Sequence, residues 1–235
     1  MIPATSIGER LLRAIRAFRT ELTALPNGVD VLDPLGGPAA AEVDRIVTAF
    51  HQRYYPDDRP RLLLLGINPG RLGAGSTGLC FTDTIRCTED LGIPVNGFRT
   101  YEPSSDFFYR MVRAAGGATT FYAHCAVQSI CPLGFTRPGP SGAPINLNYY
   151  DLPALQQAVT PFIVDWLRAL LATGMRSDRV LCIGTGKNHA FLRKLNAEHR
   201  FFRTIVPLEH PRYILQYKAR EVERYIDKYL QALVD

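Results

Sequence analysis

Two side chains stand where polar chemistry could be done on a bound molecule. Asn68 follows an unbroken apolar run, Leu62 to Leu65, and precedes Pro69-Gly70. His210 follows a second apolar stretch, 202–207, and Pro211 stiffens its loop. A carboxamide donates and accepts hydrogen bonds, and an imidazole can also exchange a proton near neutral pH. Each side chain sits at the carboxyl end of a predicted strand, where ligands of parallel sheets bind. If both strands belong to one parallel sheet, the two side chains open on the same rim. Gly66, Gly70, Gly73, Gly75 and Gly78 surround Asn68, and glycine lets backbone approach a ligand closely. A flexible surface loop after a core strand is the competing reading. The Asn between a strand and a Pro-Gly turn favours a site.

Other motifs fall away. Gly184-Thr185-Gly186-Lys187 resembles a phosphate loop only in part, since Leu181 stands where the first Gly belongs and Asn188 where Ser or Thr belongs. It reads as a tight strand-to-helix turn, from which Lys187 could touch a DNA phosphate. No GxSxG elbow is present. No HExxH and no histidine cluster points to a metal, and no cofactor is expected. The five cysteines lack CxxC spacing, which argues against a disulfide framework, zinc or iron–sulfur.

These residues need a scaffold to position them. The four-leucine run reads as a strand buried on both faces, the habit of a parallel strand covered by helices. Further strands are expected at 121–131, 179–183 and 202–207. Helices are expected at 9–25, 39–55, 105–115, 152–172, from the Gly184 turn to about 196, and 214–234. The segment 132–150, rich in Pro, Gly and Asn, reads as irregular. The segment 82–103 reads as a long loop that could hold short helices or Asp83 as a site residue. Alternating strands and helices predict an α/β fold with a parallel sheet.

The chain has 235 residues, and with no linker or repeat in view it reads as a single domain over 1–235. An apolar content of 46% suffices for a core. The net charge of +5 and the excess of Arg over Lys suit phosphate contact, although codon bias also favours Arg. No signal peptide opens the chain and no apolar stretch approaches a membrane span, so a cytoplasmic protein is expected.

At this point the residues resemble a family. Gly66-Ile67-Asn68-Pro69-Gly70, then Gly73, Thr77-Gly78 and Phe81, are similar to the first motif of the single-strand-selective monofunctional (SMUG-type) uracil-DNA glycosylases. Cys131-Pro132-Leu133 with Pro140-Ser141-Gly142 resembles their middle segment, and His210-Pro211-Arg212 their second motif. The match runs in order from Leu62 to Arg212 and resembles the bacterial branch most closely. It implies the uracil-DNA glycosylase fold: three layers, with a four-stranded parallel sheet flanked by helices. It implies a metal-independent hydrolase of base excision repair, acting as a monomer on uracil in single- and double-stranded DNA.

The resemblance also implies roles. Asn68 would hold the attacking water, and His210 would stabilise charge on the uracil O2. Phe81 would stack on the flipped base. Ile67 and Gly70 would line the pocket, with Gly70 leaving room at C5 for 5-substituted uracils. Arg212 or Tyr213 would probe the duplex and fill the vacated space. Where the family carries an Asn that pairs with the uracil edge, this chain has Ser129; a hydroxyl lacks the paired geometry of an amide. No lysine adjoins either motif, so a Schiff base is not expected. The rival readings are a noncatalytic nucleic-acid-binding module on the same fold, or a nucleotide-using small-molecule enzyme.

Overall fold

The computed structural model describes residues 5–18 and 25–234. In chain order its elements are α1 (Ile7–Ala17), β1 (Asp30–Leu32), α2 (Ala40–Tyr54), β2 (Leu62–Gly66), α3 (Ala74–Thr77), α4 (Thr84–Glu89), α5 (Pro103–Ala114), α6 (Gly117–His124), β3 (Cys125–Ser129), β4 (Gly134–Pro138), β5 (Pro144–Leu147), α7 (Pro153–Ala172), β6 (Arg179–Ile183), α8 (Lys187–His199), β7 (Thr204–Leu208), α9 (Pro211–Tyr217) and α10 (Val222–Val234). The expected first helix ends at Ala17; its further extent, with Leu22, lies outside the described residues.

The main sheet has four parallel strands in the order β3-β2-β6-β7. Every residue of β2 is buried. Successive strand residues point to opposite faces, so helices must cover both sides. α1 packs on α2 and α7, while α5 packs on α6, α9 and α10. The sheet runs one way from β2 to β3 and the other way to β6 and β7. That reversal leaves a crevice beyond the carboxyl ends. Both Asn68 and His210 lie just past such ends.

Several expectations are corrected. The stretch 121–131 is not strand throughout: Phe121 and Tyr122 belong to α6, and β3 begins at Cys125. The aromatic run that suggested a strand instead packs ring on ring with Phe50, Tyr54 and Phe108. The segment 132–150 is not irregular. β4 and β5 form an antiparallel hairpin, and β1 pairs with β4 to complete a second, three-stranded sheet. The helix expected from Ser105 starts at Pro103, with Glu102 as its N-cap. The last helix is two, since a 3-10 turn, Ala219–Glu221, separates α9 from α10.

The small sheet braces the loop after β2. Asn146 of β5 accepts a hydrogen bond from the Arg71 backbone N–H at 3.2 Å. Trp166 of α7 fastens the end of β3 by donating its indole N–H to the Ser129 carbonyl at 2.9 Å.

Candidate active site

A cleft of about 500 Å³ opens beyond the carboxyl ends of the parallel strands. Asn68, His210, Ile67, Gly70, Phe81, Ser129, Arg212 and Tyr213 all line it. The structure therefore brings together every site residue expected from the sequence except Lys187. Lys187 stands at the start of α8 with its ammonium 6.0 Å from the centre of the Tyr150 ring, and Tyr150 lines the cleft.

Asn68 is held from two sides. Its Nδ2 donates to the Leu147 carbonyl at 3.1 Å, and its Oδ1 accepts the Tyr149 backbone N–H at 3.1 Å. Only one orientation of the amide satisfies both partners, because an NH₂ cannot accept and an oxygen cannot donate. Among the described residues Oδ1 accepts no second hydrogen bond, which leaves one lone pair free. Tyr149 is itself anchored: its hydroxyl donates to Asn188 Oδ1 at 2.7 Å, and Asn188 Nδ2 donates to the Ile183 carbonyl at 3.0 Å. A buried polar chain thus ties the amide after β2 to the end of β6.

His210 is the N-cap of α9. Its Nδ1 accepts the Arg212 backbone N–H at 3.2 Å. That bond places the single proton of the neutral ring on Nε2. Burial, and then the positive charge of Arg212, push the imidazolium pKa down to about 4. At neutral pH the ring is uncharged and can donate from Nε2.

Phe81 has φ of 52°, a left-handed backbone unusual for a bulky residue. Such strain costs about 1–3 kcal/mol and persists where surrounding structure fixes it. Here Thr77 Oγ1 donates to the Thr82 carbonyl at 2.7 Å, and Thr82 shares a 2.9 Å hydrogen bond with Tyr109. The conformation stacks the Phe81 ring on Phe108, with centroids 5.1 Å apart and planes 15° apart. The His210 ring lies 5.6 Å away.

Ser129, nearly buried, lies 3.2 Å from Cys80 Sγ. Burial pushes the Cys80 thiol up to about 11, which keeps it protonated and a poor nucleophile at neutral pH. Among the described residues no group of three or more His, Cys, Asp or Glu could hold a metal ion. No described helix is long and apolar enough to cross a membrane.

Sequence reasoning missed three residues. Tyr149 and Asn188 orient Asn68 from outside the cleft. Glu102 lines the cleft directly. Burial pushes its pKa up to about 7, opposed by the Ser105 hydroxyl; Asp83 adds to the rise and Arg212 opposes it. Its only sequence signal was a place in the long loop after Phe81. Asp83 does not line the cleft. It caps α4 through the Arg86 N–H and accepts the Glu102 backbone N–H, each at 2.9 Å, so it sets where Glu102 stands.

Comparisons with known proteins bear on the family of the chain and on its fold. A sequence model of the Uracil DNA glycosylase superfamily matches residues 52–234. The chain is 31% identical over 159 residues to the single-strand selective monofunctional uracil-DNA glycosylase of Rattus norvegicus, and 30% identical to that of Mus musculus. Each alignment takes in 58% of this chain, which spans about half, 54%, of the mammalian proteins. The crystal structure of wild-type Pedobacter heparinus SMUG2 superposes with a TM-score of 0.93 at 42% identity, over 97% of both chains.

Proposed function

Because this chain belongs to the uracil-DNA glycosylase superfamily, as a SMUG-type member, we propose that it is a monofunctional DNA glycosylase. It hydrolyses the N-glycosidic bond of uracil in DNA, the first step of base excision repair. One observation carries the reading. A clamped carboxamide, a neutral imidazole and an aromatic face open on one cleft large enough for a pyrimidine nucleotide.

The chemistry follows from these groups. The target nucleotide leaves the stack, at a cost of a few kcal/mol that is least in single strands. The base stacks on the Phe81 face turned away from Phe108. Breaking the bond to C1′ leaves an oxocarbenium-like sugar and an anionic base. His210 donates its Nε2 proton in a hydrogen bond to O2, where negative charge grows. A fixed neutral donor does this without reorganisation. The free lone pair of Asn68 Oδ1 accepts a hydrogen from water and aims the water oxygen at C1′. An amide is a weak base, which suffices once the cation has formed.

Tyr213 and Tyr217 are 44% and 65% exposed at the cleft mouth, with rings 5.4 Å apart. Exposed aromatic rings stack on bases with little regard to sequence. Arg212 beside them and Lys187 over Tyr150 supply phosphate contacts. These features suit both single- and double-stranded DNA.

The test is incubation of a labelled uracil-containing oligonucleotide with the protein in EDTA. Release of uracil, leaving an abasic site that alkali cleaves, is the expected result. Retention of the oligonucleotide without release would make the protein a binding module. Neither release nor retention would refute a role on DNA.

A further inference from the structure

The stretch between α4 and α5 forms no helix or strand, yet side chains from α2 and α4 hold it at close intervals. The Leu91 carbonyl accepts from Arg53 Nη1 at 2.7 Å, and the Pro94 carbonyl accepts from Arg45. The Asn96 N–H donates to Glu42 Oε1 at 2.8 Å. Thr84 fastens the far end. Its Oγ1 accepts the Thr100 N–H at 2.9 Å and donates to the Thr100 carbonyl at 3.1 Å. Loops this long without structure of their own are uncommon in compact domains and usually functional. A loop tied down along its length offers a fixed surface, with little ordering left to do on binding.

Between this loop and α4 lies a hollow of about 330 Å³. Thr84, Ile85 and Thr88 line one side, and Val95, Phe98 and Arg99 the other. It shares no lining residue with the active cleft, but it is close to it. Arg99 lines the hollow and Glu102 the cleft, and three residues of chain span at most about 10 Å. Asp83, next to Thr84, accepts the Glu102 N–H, which fixes the two sites relative to each other. Tyr101 lies between them in the chain and is 53% exposed. Arg99 is exposed and makes no hydrogen bond or ion pair among the described residues. The carboxylate at the rim, Glu89, is engaged by Arg86 at 3.5 Å.

We propose that this hollow is a nucleobase subsite. It takes one unpaired base of the strand that carries the target, against Phe98, with a neighbouring phosphate at Arg99. The proposal rests on the action on DNA proposed above and extends it. Three observations converge on this occupant. Stacked nucleotides rise about 3.4 Å each, so about 10 Å places the base one to three nucleotides from the target. An apolar floor holding an aromatic ring beside an unpaired arginine is how proteins hold single strands without reading sequence. The exposed Tyr101 ring offers a surface to a base on the way.

The experiment uses single-stranded uracil oligonucleotides in which one nucleotide is replaced by an abasic tetrahydrofuran, at each of the three positions on either side of the uracil. Single-turnover uracil release gives a half-saturating enzyme concentration and a limiting rate for each strand. In the wild type, loss of the base at one position should raise half-saturation by about 5- to 100-fold, the worth of one stacked base, with the limiting rate unchanged. Thr88→Trp fills the hollow from an exposed position of α4 and should erase the penalty at that position alone. Phe98→Leu keeps apolar packing, loses the ring face, and should shrink the same penalty. Arg99→Ala should lower the salt slope of binding by about one. Half-saturation indifferent to every flanking base in the wild type would overturn the subsite. So would penalties unchanged in Thr88→Trp and Phe98→Leu, and either result leaves uracil excision standing. A wild-type protein that releases no uracil overturns the reading on which the subsite rests.

Discussion

Replacing Asn68 by Ala removes the two shorter bonds that clamp the amide, a longer one to the Pro69 carbonyl at 3.4 Å, and one water holder, and the losses of clamp and water holder read out separately. The bonds to the Leu147 carbonyl and from the Tyr149 N–H are both 3.1 Å long. A neutral hydrogen bond contributes about 0.5–1.5 kcal/mol net, so Asn68→Ala should lower folding stability by about 1–3 kcal/mol. The water loses its acceptor as well, which should slow single-turnover uracil release by about 10²–10⁴-fold. Asn68→Asp sharpens the test, because its shape is nearly the same. One carboxyl oxygen can still take the Tyr149 N–H. The other meets the Leu147 carbonyl, acceptor against acceptor. The new carboxyl escapes by keeping its proton, so its pKa should rise above the ordinary 3.9. An acid whose pKa is raised on folding is fully compatible with the fold below its unfolded pKa and destabilises it as pH climbs through the folded pKa. Asn68→Asp should therefore lose stability relative to wild type as pH rises, and release uracil faster than Asn68→Ala. Urea unfolding across pH and single-turnover release from a labelled strand measure these effects. An Ala variant that unfolds earlier but releases uracil at the wild-type rate would refute the water-holding role and leave the clamp purely structural.

The other expectations follow from the same geometry. His210→Ala should slow single-turnover release by about 10²–10⁴-fold; an unchanged rate would remove the imidazole from the chemistry. Gly70→Tyr must send its ring into the cleft, because a Cβ there already meets Asn146 and Glu102 at 3.4 Å. That variant should keep uracil release and lose 5-hydroxymethyluracil release, and equal activity on both would contradict a C5 wall at Gly70. His51 is buried, and burial pushes its pKa from 6.5 to about 4. The unfolded chain takes up its proton first, so this group withdraws about 3 kcal/mol of stability as pH falls from 6.5 to 4. His51→Leu should flatten that slope in urea titrations, even though Glu102, protonated up to about 7, pulls the other way. Binding to an oligonucleotide should weaken linearly in log salt, with a slope set by the number of phosphates contacted; salt-independent retention would rule out a phosphate-led interface.

The parallel sheet was legible because its strands obey local rules. Four consecutive leucines have no amphipathic helical reading, and their glycine stop marks the rim. Strand 179–183 coincides with β6 to the residue. Asn68 and His210 were legible for the same reason, as polar residues directly after apolar strands. The small antiparallel sheet was not. Its strands are three to five residues long, they hold Pro138 and Pro144, and two of the five residues of β4 and three of the four of β5 face solvent. No apolar alternation survives in segments so short. Their partner β1 lies a hundred residues upstream, beyond any local window. Phe121 and Tyr122 misled in the opposite direction: β-favouring aromatics sit in a helix because the packing of the α2 and α5 rings overrides propensity.

The chemistry draws on the parts that were hardest to read. Neither Asn68 nor His210 carries a charge at neutral pH, so neither acts by raw electrostatic strength. In the proposed mechanism their effect depends on pointing one lone pair at a water and one N–H at an oxygen as charge develops. Neutral groups that act through direction must be held in direction. For His210 the holder is local, the N–H of Arg212 two residues on, and the motif itself contains it. For Asn68 the holders come from the end of the hairpin, through Leu147 and Tyr149, and behind them from Asn188 at the start of α8. Asn188 occupies the position that spoiled the phosphate-loop pattern, and it is almost wholly buried. A Ser or Thr there, as a phosphate loop requires, is too short to span from Tyr149 to the Ile183 carbonyl as the longer amide does. The failed motif and the unexpected hairpin thus have one explanation: both keep a neutral amide aimed into the cleft.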